Sequence, residues 1–127
     1  LIPATHFIES GETPRGRLPH VILLTDAPLF ASAGIYDENA RVADEPIRSF
    51  ALLTTAPNGL VEHLHDRMPV ILRPEDEAAW LDPDADPRDL HALLRPYPAE
   101  AMEAYAVSRL VNSPRVDTPE VLRPLVA

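Results

Sequence analysis

The stretch His65-Asp66-Arg67 places three polar, reactive side chains directly before an apolar run, Met68 to Leu72. The apolar run predicts a buried strand, so the polar residues should lie on a loop at the mouth of that strand. Histidine ordinarily exchanges its proton between about pH 5 and 8, and arginine binds anions through paired hydrogen bonds. His65 and Arg67 are therefore candidates for proton transfer and anion binding.

Glu9 is the second candidate for proton transfer. It follows the largely apolar His6 to Ile8 and precedes the polar Ser10 to Glu12. Apolar surroundings favour the protonated form of a carboxylate, and such a group can exchange protons near neutral pH. From residue type alone, a solvated acid at a strand end is the commoner explanation for Glu9, and a histidine at a helix end is an equal alternative for His65.

Short strands and turns must position these side chains. The apolar runs Val21 to Leu24 and Leu29 to Tyr36 are separated by the turn Thr25 to Pro28, which predicts a hairpin. Ile47 to Thr55 is apolar on both faces and is predicted to be a central strand. Met68 to Leu72 and Met102 to Ser108 are further strand candidates.

Short helices are predicted in the second half of the chain. Asn58 can cap a helix through Leu64. Later helix starts lie at Pro74, with Trp80 and Leu81 turned into the core, and at Asp86-Pro87, with Leu90, Leu93 and Leu94 on one face. Residues 112 to 127 are predicted to be mostly an extended tail. Strands followed by short helices indicate an α+β fold with a mainly antiparallel sheet.

The composition restricts the kind of partner. The 127 residues are 46% hydrophobic and include no apolar run of membrane-spanning length, so we expect one cytoplasmic domain and no membrane contact. All 11 basic residues are arginine, and 20 acidic residues bring the net charge to −9. This charge opposes a polyanion at long range, so nucleic-acid binding would need a local groove lined by arginine.

Other site types have weaker support in the sequence. A metal site at Glu62, His63 and His65 is disfavoured, because residues two apart face different ways on a helix and there is no cysteine to assist. The 4 scattered glycines form no phosphate-binding loop, and no nucleophile-elbow pattern supports a serine triad. We therefore expect neither a metal nor a cofactor.

The stretch His65 to Leu72 also resembles the signature of the SOS response-associated peptidase (SRAP) family, which are abasic-site DNA-crosslinking proteins. Further segments resemble that family in the same order. They are Leu1 to Ala4 with Phe7 and Glu9, Phe30 to Asp37, Arg48 to Asn58, Ala79 to Pro83, and Val107-Ser108 with Val111-Asn112. The resemblance spans almost the whole chain and implies a barrel-like, mainly antiparallel sheet.

The resemblance also implies roles for individual residues. Glu9 falls on the catalytic acid of the family's Gly-Phe-Tyr-Glu-Trp segment, which here reads His6-Phe7-Ile8-Glu9-Ser10. Ser10 replaces an aromatic residue that stacks on a nucleobase, a contact worth roughly 1–3 kcal/mol. The resemblance makes Glu9 and His65 catalytic, and it assigns DNA binding to Thr54, Thr55, Arg67 and Asn112.

Members of this family carry a cysteine directly after the initiator methionine, whereas this chain opens at Leu1 and contains no cysteine. We expect that roughly the first two-fifths of the family's domain is missing. The strands of residues 19–55 should then leave an apolar face uncovered.

The resemblance implies a covalent function for the intact protein. It would expose its amino-terminal cysteine by autoproteolysis, bind single-stranded DNA at an abasic site, and form a thiazolidine crosslink. It would act as a monomer in the cytoplasm, at the nucleoid after DNA damage. Two alternatives remain, namely a catalytically inactive module that binds DNA or protein, and a small hydrolase built on Glu9 and His65 alone.

Overall fold

The computed structural model describes residues 1–126. The sequence folds into ten short strands and two short α-helices, and all strand pairs are antiparallel. The strands are β1 (Ile2–Ala4), β2 (Phe7–Gly11), β3 (Leu18–Leu24), β4 (Phe30–Ser32), β5 (Gly34–Asn39), β6 (Ile47–Leu52), β7 (Thr54–Thr55), β8 (Met68–Pro69), β9 (Ile71–Leu72) and β10 (Met102–Ala106). The predicted α+β class with mainly antiparallel strands is confirmed. "Barrel-like" describes it only loosely, because the described strands form four small open sheets.

The sheet β10-β3-β2 carries Glu9 and borders the main core. Buried apolar side chains from strands and loops pack together beside it, and each contributes roughly 1.5–3 kcal/mol. They are Ile22, Leu24, Phe30, Val61, Met68, Ile71 and Met102. This packing places the chain around residue 68 against the sheet that contains Glu9.

The predicted hairpin between residues 21–24 and 29–36 is wrong. β3 pairs with β2 on one edge and with β10 on the other, so neither edge is free for β4. β4 pairs instead with β1 and β9, and the apolar run is divided between β4 and β5 at Ala33, whose N–H donates to the Val70 carbonyl at 2.9 Å. Two distant segments therefore outcompete the nearest one in sequence.

The predicted central strand at residues 47–55 is also wrong. Its first part, β6, pairs only with β5 and is exposed along its whole length. The chain changes partners at Leu53, which bonds to Ala33 and Val70, and then continues as β7 against β8. Burial predicted from apolar composition fails here because no described residue covers the β5–β6 ribbon.

The exposed ribbon leaves apolar side chains uncovered, as expected for the strands of residues 19–55. Ile35, Tyr36 and Phe50 are 55%, 76% and 70% exposed. With Leu1 and Ile2 they help to line a groove of about 440 Å³. Apolar patches of this kind usually mark a surface that contacts another segment or molecule.

Asn58 begins a series of turns, not the predicted helix through Leu64. Its side-chain oxygen accepts from Leu60 N–H at 3.1 Å and Val61 N–H at 3.0 Å, so the expected capping contact is present. The same side chain donates to the Tyr97 carbonyl at 2.7 Å. Asn58 thus fixes the start of the loop that ends at His65.

The two α-helices begin close to their predicted starts. α1 (Glu77–Leu81) follows a 3₁₀ turn at Pro74–Asp76, and α2 (Pro87–Ala92) has Asp86 as its N-cap. Trp80 packs against the buried Val70 and Leu72, as predicted, whereas Leu81 is 59% exposed, so its predicted burial is wrong. No helix within residues 1–126 is long and apolar enough to cross a membrane.

The cap of α2 shifts the pKa of its own carboxyl group. The Arg88 side chain, and then the Arg88 backbone N–H, lower the pKa of the Asp86 carboxyl by hydrogen bonding. Because this pKa is lowered, the capping contact contributes above the ordinary carboxyl pKa and is lost as pH falls through the lowered value.

The predicted tail is only partly extended. It follows the 3₁₀ helix Arg109–Asn112, contains one at Pro119–Leu122, and returns along β10, where Leu125 N–H donates to the Ala106 carbonyl at 2.8 Å. Residue 127, the last of the predicted tail, lies outside the described residues.

We expect Asn58→Ala to lower the free energy of unfolding by about 2–3 kcal/mol, because it removes a cap and leaves the Tyr97 carbonyl unpaired. Urea denaturation followed by circular dichroism measures this. Asn112→Ala, at an exposed position without a side-chain hydrogen bond among the described residues, is the matched control and should change stability by less than about 0.5 kcal/mol. Equal effects of the two substitutions would contradict the role given to Asn58.

Candidate active site

A cavity of about 230 Å³ lies between β2, the end of β6, and the loop that precedes β8. Four of the residues singled out in the sequence line it, namely Glu9, Thr54, His65 and Arg67. The remaining wall is apolar and consists of Phe7, Ile8, Leu52, Met68 and Pro69. The fold thus brings polar groups separated by up to 58 positions into one apolar-walled space.

Glu9 and His65 face each other across this cavity. The His65 Nε2 atom lies 3.9 Å from the Glu9 Oε2 atom, and the two side chains are 38% and 26% exposed. This distance is longer than a hydrogen bond, so the two groups are not bonded to each other and both can bond to one atom placed beside the pair. Partial burial also strengthens the electrostatic interaction of each group with such an atom.

The other ring nitrogen of His65 is held by its own loop. Nδ1 lies 3.0 Å from the Arg67 N–H, which can donate to it when it is unprotonated. When Nδ1 is protonated, the Arg67 carbonyl at 3.1 Å and the Asp66 carboxylate at 3.2 Å can accept from it. Nδ1 therefore has a hydrogen-bonding partner in either protonation state, which suits a group that both takes and gives protons.

Arg67 and Thr54 form one polar unit on the cavity wall. The Arg67 Nε and Nη2 atoms donate to the Thr54 hydroxyl at 3.1 and 2.9 Å, and Nη2 also donates to the Thr54 carbonyl at 2.6 Å. Because the hydroxyl accepts from arginine, its own proton is free to be donated outward. The unit presents a fixed positive charge and a hydroxyl donor to an anion.

The structure does not bring Thr55 and Asn112 to this cavity. The Thr55 hydroxyl donates to the Leu94 carbonyl at 3.4 Å, and adjacent residues of a strand face opposite sides. Asn112 is exposed at the end of a 3₁₀ helix and does not line the cavity.

One residue close to the site was missed in the sequence. His20 stands directly opposite Glu9 in the ladder between β2 and β3, so the two side chains share one face of the sheet. Its Nδ1 atom lies 3.0 Å from the Leu18 carbonyl. Only the register of β2 against β3 could have indicated this neighbour.

Comparison with known proteins adds a separate observation. The sequence profile described as SOS response associated peptidase (SRAP) matches residues 1–114. The abasic site processing protein YoqW of Bacillus subtilis is 45% identical over 124 residues, which are 96% of this chain and 55% of that protein. The abasic site processing protein HMCES of Gallus gallus is 39% identical over 101 residues, which are 76% of this chain and 29% of that protein. The chain thus spans about half the length of its bacterial relative.

Solved structures agree with the sequence comparison. A crystal structure of a protein from Bacteroides thetaiotaomicron matches with a TM-score of 0.85 and 30% identity, covering 98% of this chain and 55% of that one. With the profile match over residues 1–114 and the 45% identity to YoqW, this likeness confirms the resemblance seen in the sequence. The chain belongs to the SRAP family.

Proposed function

We propose that the intact protein processes abasic sites in single-stranded DNA by forming a covalent crosslink. The observation that carries this proposal is the pairing of Glu9 and His65 at 3.9 Å in one cavity, beside the unit of Arg67 and Thr54. Relatives named as abasic site processing proteins support the choice of DNA substrate. A cavity with proton-transfer groups on one side and an anion-binding pair on another fits an aldehyde sugar between phosphates.

The nucleophile in this proposal is an amino-terminal cysteine on a segment outside the 127 residues. Removal of the preceding methionine, by hydrolysis of one peptide bond, exposes its amine. That amine adds to the aldehyde carbon of the ring-opened sugar to give a carbinolamine, which loses water to form a Schiff base. The thiol then adds to the C=N bond, forming the S–C bond of the thiazolidine and leaving one proton on the nitrogen.

Glu9 and His65 supply the proton transfers of these steps. Ring opening needs a proton at the sugar oxygen, loss of water needs one at the carbinolamine hydroxyl, and addition of the amine releases one. Glu9 acts on the groups at the sugar carbon, and His65 assists at the sugar oxygen or the 5′ phosphate. The position of His65 in its own loop supports this role, because partners for Nδ1 leave Nε2 facing Glu9.

Arg67 and Thr54 bind a phosphate next to the reacting sugar. Arg67→Gln should weaken binding of single-stranded DNA about tenfold and reduce the dependence of log K on log salt by about 0.7. Arg67→Lys should keep the salt dependence but still weaken binding, because it loses the planar fork held by Thr54. Fluorescence anisotropy over a series of salt concentrations measures both quantities.

Arg123→Gln is the matched control for Arg67, since Arg123 is an exposed arginine paired with Glu120 and outside the cavity. It should leave both affinity and salt dependence close to those of the starting protein. A similar loss in Arg123→Gln and Arg67→Gln would assign the effect to overall charge and remove the phosphate role of Arg67.

The direct test of the proposed function is the mass of the reaction product. A protein extended by the amino-terminal cysteine segment should join an abasic strand with a product mass equal to the sum of the two minus one water. The same strand with an intact base is the matched substrate and should yield no adduct. If the abasic strand also yields none, the crosslinking function is wrong.

A second candidate is a catalytically inactive module that binds DNA or protein. Two observations favour it: the net charge of −9 opposes a polyanion, and Ser10 stands where the family carries a base-stacking aromatic. Such a module would bind abasic and intact strands alike without joining to either. The mass experiment separates the two candidates.

The same proposal includes the location and the oligomeric state of the protein. The protein acts as a monomer in the cytoplasm and moves to the nucleoid when abasic sites accumulate. Sedimentation of the intact protein with and without a DNA strand tests the monomeric state.

A further inference from the structure

Three arginines meet at the end of the β2–β3 hairpin, and we call this group the arginine turn: Arg15, Arg17 and Arg109. The hairpin closes through hydrogen bonds between Thr13 and Gly16 at 2.9 and 3.1 Å. The Arg109 side chain reaches back from its 3₁₀ helix, and its Nη2 and Nε atoms donate to the Arg15 and Arg17 carbonyls at 3.2 and 3.1 Å. These bonds hold the Arg109 side chain against the backbone of the turn that carries Arg15 and Arg17, and all three arginines are exposed.

The arginine turn is positive although the chain as a whole is acidic. Five arginines have a carboxylate oxygen within 4.0 Å, and one of them, Arg17, belongs to the arginine turn. The five are Arg17, Arg48, Arg88, Arg95 and Arg123. Arg15 and Arg109 have none among residues 1–126. The Arg17–Glu12 pair is 3.6 Å apart with both side chains exposed, so solvent weakens it. Two full positive charges therefore remain on this surface, against a net charge of −9.

Strand β2 leads from the candidate active site to the arginine turn. Glu9 lies two residues, roughly 7 Å of strand, before Gly11 at the end of β2. Gly11 is buried, and a Cβ atom there would lie 3.1 Å from Leu64 Cα and 3.2 Å from the His63 carbonyl. The loop that ends at His65 therefore packs directly on the strand end that leads into the arginine turn.

We propose that the arginine turn binds phosphates of the DNA strand where that strand leaves the Glu9–His65 cavity. The proposal rests on the function proposed above and adds the path of the strand. A strand held at the cavity must continue over an adjoining surface, and phosphates need unpaired arginine charge because the net charge opposes binding. Ser10, between Glu9 and Gly11, offers no aromatic stacking, so phosphate contacts carry a larger share of the affinity.

The test compares strand lengths and arginine substitutions on the 127-residue chain. The strands are an intact oligothymidine of about four nucleotides, which can place one nucleotide at the cavity and cover little beyond it, and one of about twelve, which can also cover the arginine turn. We expect the chain to bind the longer strand more tightly than the shorter one. Arg15→Gln should reduce this difference in affinity about three- to tenfold, and it should lower the slope of log K against log salt for the longer strand by about 0.7. Fluorescence anisotropy over a salt series measures both.

The matched control is Arg41→Gln, an exposed arginine in the β5–β6 loop that also lacks a carboxylate within 4.0 Å. It should leave the preference for the longer strand unchanged. Arg109→Gln should act like Arg15→Gln, with thermal unfolding used to detect any loosening of the hairpin. Arg15 has no side-chain hydrogen bond or ion pair among the described residues, so Arg15→Gln tests binding without that complication.

Each outcome decides the proposal. Equal behaviour of Arg15→Gln and Arg41→Gln overturns it while leaving the proposed function standing, because the chain still binds the short strand. Equal binding of polyglutamate and oligothymidine, both lost in Arg15→Gln, also overturns it in favour of an acidic protein partner. If the unsubstituted chain binds neither strand at low salt, the proposed role of the arginine turn is wrong, and the result also counts against the DNA-binding function itself.

Discussion

Replacing Glu9 by glutamine, or His65 by alanine, should slow crosslinking to abasic single-stranded DNA by about 10²–10⁴-fold in a protein that carries the amino-terminal cysteine. Both substitutions remove a proton donor or acceptor at the centre of the cavity, where the two groups lie 3.9 Å apart. Affinity for the strand should change much less, because phosphate contacts dominate it. Single-turnover kinetics, followed as covalent product on denaturing gels, give the rate, and anisotropy gives the affinity.

Glu62→Gln and His63→Ala are the matched controls for this experiment. They change the same residue types on the loop that ends at His65, but their side chains are exposed and do not line the cavity. Both should crosslink at nearly the starting rate. If Glu9→Gln and His65→Ala also react at that rate, proton transfer belongs to other groups. If they lose rate and affinity in equal proportion, the two residues only bind DNA.

The candidate site was easier to predict from the sequence than the strand pairing, because two of its residues lie close together in the sequence. His65 and Arg67 are two residues apart, on a loop whose position follows from the apolar strand after it. Glu9 has no such local signal, and its prediction as a catalytic residue depends on the resemblance of its segment to a family motif. Their meeting across one cavity depends on packing between β2 and the loop at residue 65, which no single motif encodes.

The hairpin error has a physical cause of the same kind. Residues 21–24 and 29–36 are neighbours in sequence and both favour strands, which predicts pairing. β3 instead has both edges occupied by β2 and β10, and β10 lies about 80 positions further along the chain. Pairing across such distances is decided by which edges and apolar faces remain available in the folded protein. Local propensity carries no information about them.

Thr54 and Thr55 are adjacent in a predicted strand, so the sequence could have separated their roles. Adjacent residues in a strand point to opposite faces, so at most one of the two could face a given phosphate. Thr54 bonds to Arg67 at the cavity, whereas Thr55 bonds to the Leu94 carbonyl on the other side. The alternation rule would have divided the two, but choosing between them required the position of Arg67.

The 127-residue chain alone should give no heat-stable crosslink with abasic single-stranded DNA, whereas a version extended by the family's amino-terminal segment, beginning with cysteine, should give one. The chain contains no cysteine, so it lacks the thiol that closes the thiazolidine ring. A lysine cannot substitute as an amine nucleophile either, because all 11 basic residues are arginine. Incubation with an abasic strand, heating in detergent and mass measurement of any shifted band test both versions.

The extended protein with its first cysteine changed to serine is the control that isolates the thiol. It keeps the amino group, so it can form a Schiff base, which borohydride reduction would trap. Without reduction it should give no heat-stable product, because a hydroxyl closes the ring far less readily than a thiol.

A heat-stable adduct from the 127-residue chain would instead reveal another nucleophile, with the amino group of Leu1 as the first candidate. If neither the extended protein nor this chain reacts, while both bind the strand, the inactive binding module is the better description, and the 3.9 Å pair of Glu9 and His65 then serves binding alone.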